Sequence, residues 1–411
     1  MATQVNPPRG MRDFLPADKA RRERVLAVIR AVFRSHGFDE IETPVVEDSE
    51  RLHSGLGGDN EKLAFGVMRR ALTTDDLRAA GDPLELIDLG LRFDLTVPLA
   101  RFYASHRAEL PPVFRAIQIA PVWRAERPQK GRFRQFMQCD IDIIGEAGPL
   151  AEIELLSAAA DALDALGLAG CSFRVNDRRI LAGMLNHWGV PAEQHERALI
   201  TIDKLDKIGP EGVAAELAES GIGADGLADA LTASGWQLLD DPPAWLDRDA
   251  YAELLALRDA VPGADMVFDP TLVRGMGYYT GTIYEIAHPA LGYSLGGGGR
   301  YDGMIGRFLG SEVPAAGISL GFERLVDLVE LEEGAHQASV ALLHDADAAA
   351  SDLVALKREL LQSGRAQRVR VERRPKNTKA TLDRLTAEGF THFAFVRADS
   401  TLDTLELRSL G

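Results

Sequence analysis

The sequence predicts an α+β fold in more than one domain, and three observations carry that reading. Strand-like runs dominate residues 38–145 and return at 271–305, a mostly helical polar stretch at 176–262 separates these two blocks, and residues 338–411 alternate strand with helix. A chain of 411 residues with 46% hydrophobic content can bury one large core and one or two smaller ones. Its 26% charged residues are interspersed with apolar ones, the balance of a folded chain rather than a disordered one.

The first block opens with a helix over 18–36, where Val25, Leu26, Ile29, Val32 and Phe33 share one face, Asp18 is the cap and Gly37 the stop. FDEIETPVVED (38–48) reads as extended, interrupted by Pro44, which cannot donate to a sheet ladder. Further β-like runs are ELIDLGLRFDL (85–95), FRAIQIAPVWRAE (114–126) and FRQFMQCDIDIIG (133–145). Residues 150–166 return to helical spacing through Ile153, Leu156, Ala160 and Leu163, ending at Gly167. After the insertion, strand signals resume at 271–286 (TLVRGMGYYTGTIYEI) and 293–305 (YSLGGGGRYDGMI), and a helix begins near Gly321. The last segment reads as strand 338–344, helix to Ser363, strand 368–372, helix 377–388, strand 391–396 and a short strand 404–410, a small α/β domain with a largely parallel sheet.

The domains are therefore expected at 1–175 with 263–332, at 176–262 and at 338–411. A net charge of −16 excludes a protein that coats nucleic acid non-specifically, because such binding neutralises many phosphates with Lys and Arg. Two local basic stretches remain, 124–134 and 365–379, and an isolated basic run is more often a solvated face than a binding site. The two cysteines, Cys139 and Cys171, make neither a disulfide framework nor a CxxC metal site, which favours a reducing compartment. The N-terminal residues carry no apolar signal segment and no long apolar run follows, so the expectation is a cytoplasmic protein without a membrane partner.

Several familiar motifs fail. Reading GxGxxG from Gly296 or Gly297 puts Tyr301 or Asp302 at the third glycine, no GxxxxGK[ST] occurs, and His195-Glu196 is followed by Leu199 where a zincin needs its second histidine. What remains is a set of arginines, glutamines, tyrosines and acids on β-like segments, suited to binding a polar amino acid beside a polyphosphate. Arginine fits phosphate because its planar fork donates two parallel bonds and stays charged. Arg124, Arg274 and Arg324 lie in three separated segments, and each alone would read as a surface or ion-pair arginine.

With their flanks, these residues resemble the histidyl-tRNA synthetase family along nearly the whole chain. PPRGMRDFLP opens the chain as in that family; GFDEIETPVVED is similar to its motif 1 with Pro44 at a dimer interface; LRFDLTVPLAR resembles its histidine-binding strand; VWRAERPQKGRFRQFMQCDIDIIG resembles motif 2 and AAGISLGFERL motif 3. LVRGMGYYTGTIYEI followed by GGGGRYDGMI is the most specific element. The resemblance implies a class II antiparallel-sheet catalytic domain with a helical insertion, plus a C-terminal α/β domain like the family's anticodon-binding domain. Two departures stand out: Gly277 stands where the family commonly has an acid, and the resemblance stops at Gly411, short of the family's usual terminal helix.

Residue by residue, the resemblance implies that Asp94, Thr96 and Gln138 hold the α-ammonium of histidine, and that Asp142 and Tyr279, with Tyr278 beside it, hold the imidazole. A site built on bonds to both ring nitrogens rejects amino acids that would leave them unpaired. Arg124 and Arg274 are the implied catalytic pair on the α-phosphate of ATP; Arg132, Gly298 and Arg324 complete the nucleotide site, with the glycine letting backbone approach the adenylate. Magnesium is expected with ATP, no protein metal ligand is assigned, and no tightly bound cofactor is expected. Gln129 is implied to meet the acceptor end of tRNA-His, and Arg373, Arg374 and Lys376 supply the basic patch of the C-terminal domain. The expected partners are ATP, L-histidine, tRNA-His and a second copy of the chain. The alternative is a non-catalytic paralogue such as the regulatory subunit of ATP phosphoribosyltransferase, against which Arg124, Gln138, Arg324 and residues 338–411 all argue.

Overall fold

The computed structural model describes residues 5–54, 58–128, 131–223, 227, 230, 231, 233, 235–275, 278–330, 338–375 and 377–410. The chain divides into two compact units, residues 1–12 with 25–329 and residues 13–24 with 330–411. Among the described residues no helix is long and apolar enough to cross a membrane.

The larger unit is built on a sheet of eight strands: β1 (Asp39–Glu40), β5 (Phe114–Trp123), β6 (Gln135–Ile144), β7 (Ser172–Asp177), β8 (Asp265–Phe268), β9 (Thr282–Ala287), β10 (Gly296–Arg300) and β11 (Ala315–Leu320). Their order is β1-β5-β6-β11-β10-β9-β7-β8, and the numbering gaps belong to a second antiparallel sheet, β2 (Val46–Asp48), β4 (Ile87–Leu91) and β3 (Phe65–Met68). The outermost pairs, β1/β5 and β7/β8, are parallel, while every ladder between them is antiparallel. Helix α5 (Leu150–Ala165) packs on β6 and β11 and buries Leu155, Leu156, Ala159 and Leu163. Beneath it Arg300 closes β10 with two bonds to Glu152, at 2.6 and 2.7 Å.

Several elements differ from the sequence reading. Helix α1 spans Pro16–Ser35 and begins before Asp18, because proline is preorganised for the first turn and needs no hydrogen-bond partner there. The strand expected over 85–95 ends at Leu91, and Thr96–His106 forms a helix, α4. The Asp94 carboxylate accepts from the Val97 amide at 3.2 Å, capping the first turn, and Pro98 falls where its missing amide costs nothing. The run 271–286 is extended only from Thr282; upstream, the carbonyl of Asp269 receives the Leu272 amide and that of Gly275 the Tyr278 amide, a series of turns. The run 293–305 splits into β10 and a helix, α10 (Asp302–Leu309), and β11 stands where the sequence showed no strand signal.

Between β7 and β8 the chain is helical where expected, with α6 (Arg178–His187), α7 (His195–Ile202), α8 (Leu205–Glu219) and α9 (Arg248–Ala260). The smaller unit carries a four-stranded sheet in the order β13 (Arg368–Arg373), β12 (Ser339–His344), β14 (His392–Val396), β15 (Arg408–Ser409), parallel except for the last strand. Both faces of β12 are covered. Val340 and Leu342 pack with Leu353, Leu356 and Leu360, and Ala341 and Leu343 pack with Leu385, Phe390 and Phe393.

Candidate active site

A cavity of about 730 Å³ opens on the sheet of the larger unit, and Asp94, Thr96, Arg124, Arg132, Gln138, Asp142, Arg274, Tyr278, Tyr279 and Arg324 all line it. Strand β6 supplies one wall because its side chains alternate: Gln138, Asp140 and Asp142 stand two apart on one face. Asp142 pairs across the ladders with Ala116 and Gly317, both small, so its carboxylate has room inside the sheet. A Cβ on Gly317 would lie 1.9 Å from Asp142 Oδ1. That oxygen accepts from the Tyr301 hydroxyl at 2.6 Å.

Three acids share this wall. Burial, opposed by the Val97 amide and by Arg124, pushes Asp94 up to about 6. Burial likewise pushes Asp142 up to about 7, against the bond from Tyr301 and with the help of Asp94. Asp140, also buried, is driven well above the usual carboxylate range by burial and then by Asp142. Removing water disfavours the charged form, and like charges nearby add to it.

The guanidinium groups are held by protein acceptors. Arg124 donates to the Phe93 carbonyl at 2.9 Å and lies over the Phe136 ring. Arg274 pairs with Glu285 and reaches Ser294 Oγ at 3.4 Å. Arg324 donates to the Ser294 carbonyl and stacks 4.7 Å from the Tyr293 ring centre, while Arg132 pairs with Glu126 at 3.5 Å. Gly297 makes room for Arg274: a Cβ there would meet its Cζ at 2.7 Å. Gly275, at φ +52°, does the same for Tyr279, whose ring would touch a Cβ at 2.1 Å.

Gly296 and Gly297 reach the cavity wall, whereas Gly298 faces the sheet, where a Cβ would run into the Gly317 carbonyl at 1.9 Å. Gln129, Lys376 and Gly277 lie outside the described residues. Arg373 ends β13 in the smaller unit, and Arg374 there pairs with Asp345 at 3.7 Å and covers the Phe395 ring. Sequence reasoning missed Asp140, Tyr301, Glu285 and Ser319, which also line the cavity. Alternation along β6 would have found Asp140; the others belong to the site only through sheet order. Among the described residues no cluster of three or more His, Cys, Asp or Glu side chains could hold a metal ion.

Residues 10–325 match the family described as histidyl-tRNA synthetase. The chain belongs to the histidyl-tRNA synthetase family. A histidine–tRNA ligase of Leifsonia xyli is 60% identical over 436 aligned positions, covering 100% of this chain and 99% of that protein. A probable histidine–tRNA ligase of Tropheryma whipplei is 42% identical, covering 98% of each. Among solved structures, a histidyl-tRNA synthetase from Nostoc superposes with a TM-score of 0.78 at 26% identity, over 99% of this chain and 95% of that one. The class II α+β architecture expected for a histidyl-tRNA synthetase is the one observed, a large antiparallel-rich sheet with flanking helices.

The raised acids of this histidyl-tRNA synthetase have a consequence for stability. Asp142 keeps its proton to about 7 when folded and to 3.8 when unfolded, so between those values the folded chain binds more protons and loses stability as pH rises. Ligand-free Asp142→Asn is therefore expected to melt several degrees above the parent at pH 8, with the gap shrinking toward pH 5. Equal melting shifts at both pH values in differential scanning calorimetry would refute the burial argument.

Proposed function

We propose that this histidine–tRNA ligase carries out both steps of its reaction at the cavity on the large sheet. One observation carries the assignment: three acids, Asp94, Asp140 and Asp142, and three arginines, Arg124, Arg274 and Arg324, converge on a single cavity. Such a site receives an ammonium on one set of charges and phosphates on the other. Asp94, Thr96 and Gln138 are assigned to the α-ammonium, and the Gln138 carbonyl oxygen, buried and without a hydrogen-bond partner, is an acceptor awaiting a donor. Asp142 with Tyr278 and Tyr279 is assigned to the imidazole.

In the first step the histidine carboxylate attacks the α-phosphorus of ATP and pyrophosphate leaves. The charge that develops is met by Arg124 and Arg274, already in place, which lowers the barrier without reorganisation. Arg132 and Arg324 are assigned to the remaining phosphates and the adenine face, Gly298 to the strand that underlies the adenylate. Magnesium carried by the triphosphate would supply further charge neutralisation, and Asp203 and Glu285 on the cavity wall would be the oxygen donors open to it, Glu285 only on release from Arg274. In the second step the terminal ribose hydroxyl of tRNA-His attacks the mixed anhydride and AMP leaves. Gln129 is assigned to the acceptor end, and Arg373, Arg374 and Lys376 to the tRNA backbone. Residues 1–175 with 263–332, 176–262 and 338–411 are the proposed catalytic, insertion and anticodon-binding domains. The Arg124, Gln138, Arg274 and Arg324 set supports the ligase over a regulatory paralogue, which has no use for phosphate arginines. Having only two cysteines, Cys139 and Cys171, fits a cytoplasmic enzyme.

A homodimer is the proposed assembly, with residues 37–48 and the preceding helix at an isologous interface. Val45, Val46, Val67 and Met68 support it, being 42%, 37%, 38% and 57% exposed at and beside the three-stranded sheet.

Three outcomes test this reading. ATP–pyrophosphate exchange is expected to require histidine among the twenty amino acids, and Arg274→Ala to slow it by about 10²–10³; a near-parental burst of adenylate would remove Arg274 from the reaction. Neutralising Arg373 and Arg374 should weaken tRNA binding and flatten its salt dependence while exchange is unchanged. An unchanged Michaelis constant for tRNA at every salt concentration would make this patch plain surface. Sedimentation velocity at micromolar concentration should show a dimer, and a monomer would overturn the interface.

A further inference from the structure

Asp140 stands between Gln138 and Asp142 on the cavity face of β6, and the roles assigned above leave it without one. Its position is costly. The side chain is 5% exposed, and burial and then Asp142 oppose its ionisation. An amide or a hydroxyl would fill the same space without that penalty, so the carboxyl must supply something they lack. Its two oxygens lie 3.0 and 3.3 Å from Gln138 Nε2, and a third neighbour of that nitrogen is Ser319 Oγ at 3.3 Å. The opposite end of the same amide, Gln138 Oε1, is buried and makes no hydrogen bond.

We propose that Asp140 is a positioning residue for amino-acid recognition: it fixes the orientation of the Gln138 amide, so that Oε1 and not Nε2 faces the α-ammonium of the substrate. This rests on the reading of the cavity as the histidine site. The two ends of a carboxamide have nearly the same shape, so packing alone does not choose between them. A flipped Gln138 would present its NH₂ donors to an ammonium that is itself only a donor. Ser319 alone cannot enforce the choice, because a hydroxyl both donates and accepts; it is itself bonded to Asp140, whose ionised carboxylate only accepts. The arriving ammonium favours that ionised form, which ties substrate binding to the lock it depends on. The row Gln138, Asp140, Asp142 thus divides the labour along one strand. Its middle member orients the first, and its last member faces the imidazole.

The test compares histidine with imidazolepropionate, which keeps the ring and carboxylate and lacks the ammonium. In the parent enzyme histidine should bind far more tightly, measured by calorimetry for histidine and by inhibition of ATP–pyrophosphate exchange for the analogue. Asp140→Asn, nearly isosteric, can donate to either end of Gln138 and so releases the amide. It is expected to weaken histidine by about tenfold, the scale of a hydrogen bond to a charged group, while the affinity for imidazolepropionate and the Michaelis constant for ATP stay within about twofold. The double variant Asp140→Asn with Gln138→Glu, which offers an acceptor at both ends of residue 138, should recover most of the lost preference for histidine. Equal weakening of both ligands in Asp140→Asn, unchanged discrimination, or no recovery in the double variant each overturns the proposal. Failure of the parent enzyme itself to distinguish the two ligands would instead overturn the assignment of the cavity to histidine.

Discussion

A carboxylate held in the middle of a β-sheet is the constraint on which this structure turns. Asp142 has strands on both sides and is 4% exposed, so little water offsets its charge and the sheet must make space and supply a donor. Space comes from Ala116 and Gly317 in the two neighbouring ladders, and the donor is Tyr301, delivered by the turn between β10 and α10. Gly317 is fixed in turn, since Tyr284 donates to its carbonyl at 2.9 Å. Four segments distant in sequence are thereby tied to one acid. The proposed function supplies a reason to tolerate it, because a buried acid with one strong donor gains from a cationic ligand.

The arginines follow a complementary logic. Arg274 rests on Glu285, Arg324 on the Ser294 carbonyl and Arg132 on Glu126. Glu285 is itself held by Arg174 at 3.1 Å, which also grips Asp206 at 2.9 Å on α8. These partners keep the guanidinium groups aimed, and on the proposed reading a phosphate would exchange with a protein acceptor, which excludes ligands too weakly charged to compete. The basic stretch of the smaller unit is less free than its composition suggested. Arg370 and Arg384 are engaged by Glu372 and Glu388, and Arg368 lies 4.2 Å from the Phe390 ring centre.

How much of this was legible in the sequence depended on whether a signal was local. Helix α1, strands β5 and β6 and the alternation of the smaller unit follow from periodicity, and the motifs brought Asp94, Gln138, Asp142, Arg274 and Tyr279 together before any coordinates. Helix α4 did not show, because Val97, Pro98 and the apolar run before them read as a strand until Asp94 is seen capping the turn. Strand β11, Ala-Ala-Gly-Ile-Ser-Leu, has a single β-branched residue, Ile318, and is held by its two neighbours instead. Tyr301 and Glu285 enter the site only through sheet order, a long-range fact that no window of sequence contains.

Strand β10 illustrates a different kind of information. Gly296, Gly297, Gly298 and Gly299 are each pressed against backbone, with a Cβ meeting a carbonyl oxygen at 2.4, 2.5, 1.9 and 2.7 Å respectively. Four identical residues cannot tell one ladder alignment from the next, since a shift by one replaces glycine with glycine. The alignment must be written at the two ends. Arg300 anchors one through Glu152, and Leu295, buried and bonded through its carbonyl to the Gly321 amide at 2.7 Å, anchors the other. The segment behaves as a blank ruler whose only marks are its end stops: wearing away either stop would let the whole glycine ribbon slide without a single glycine being changed.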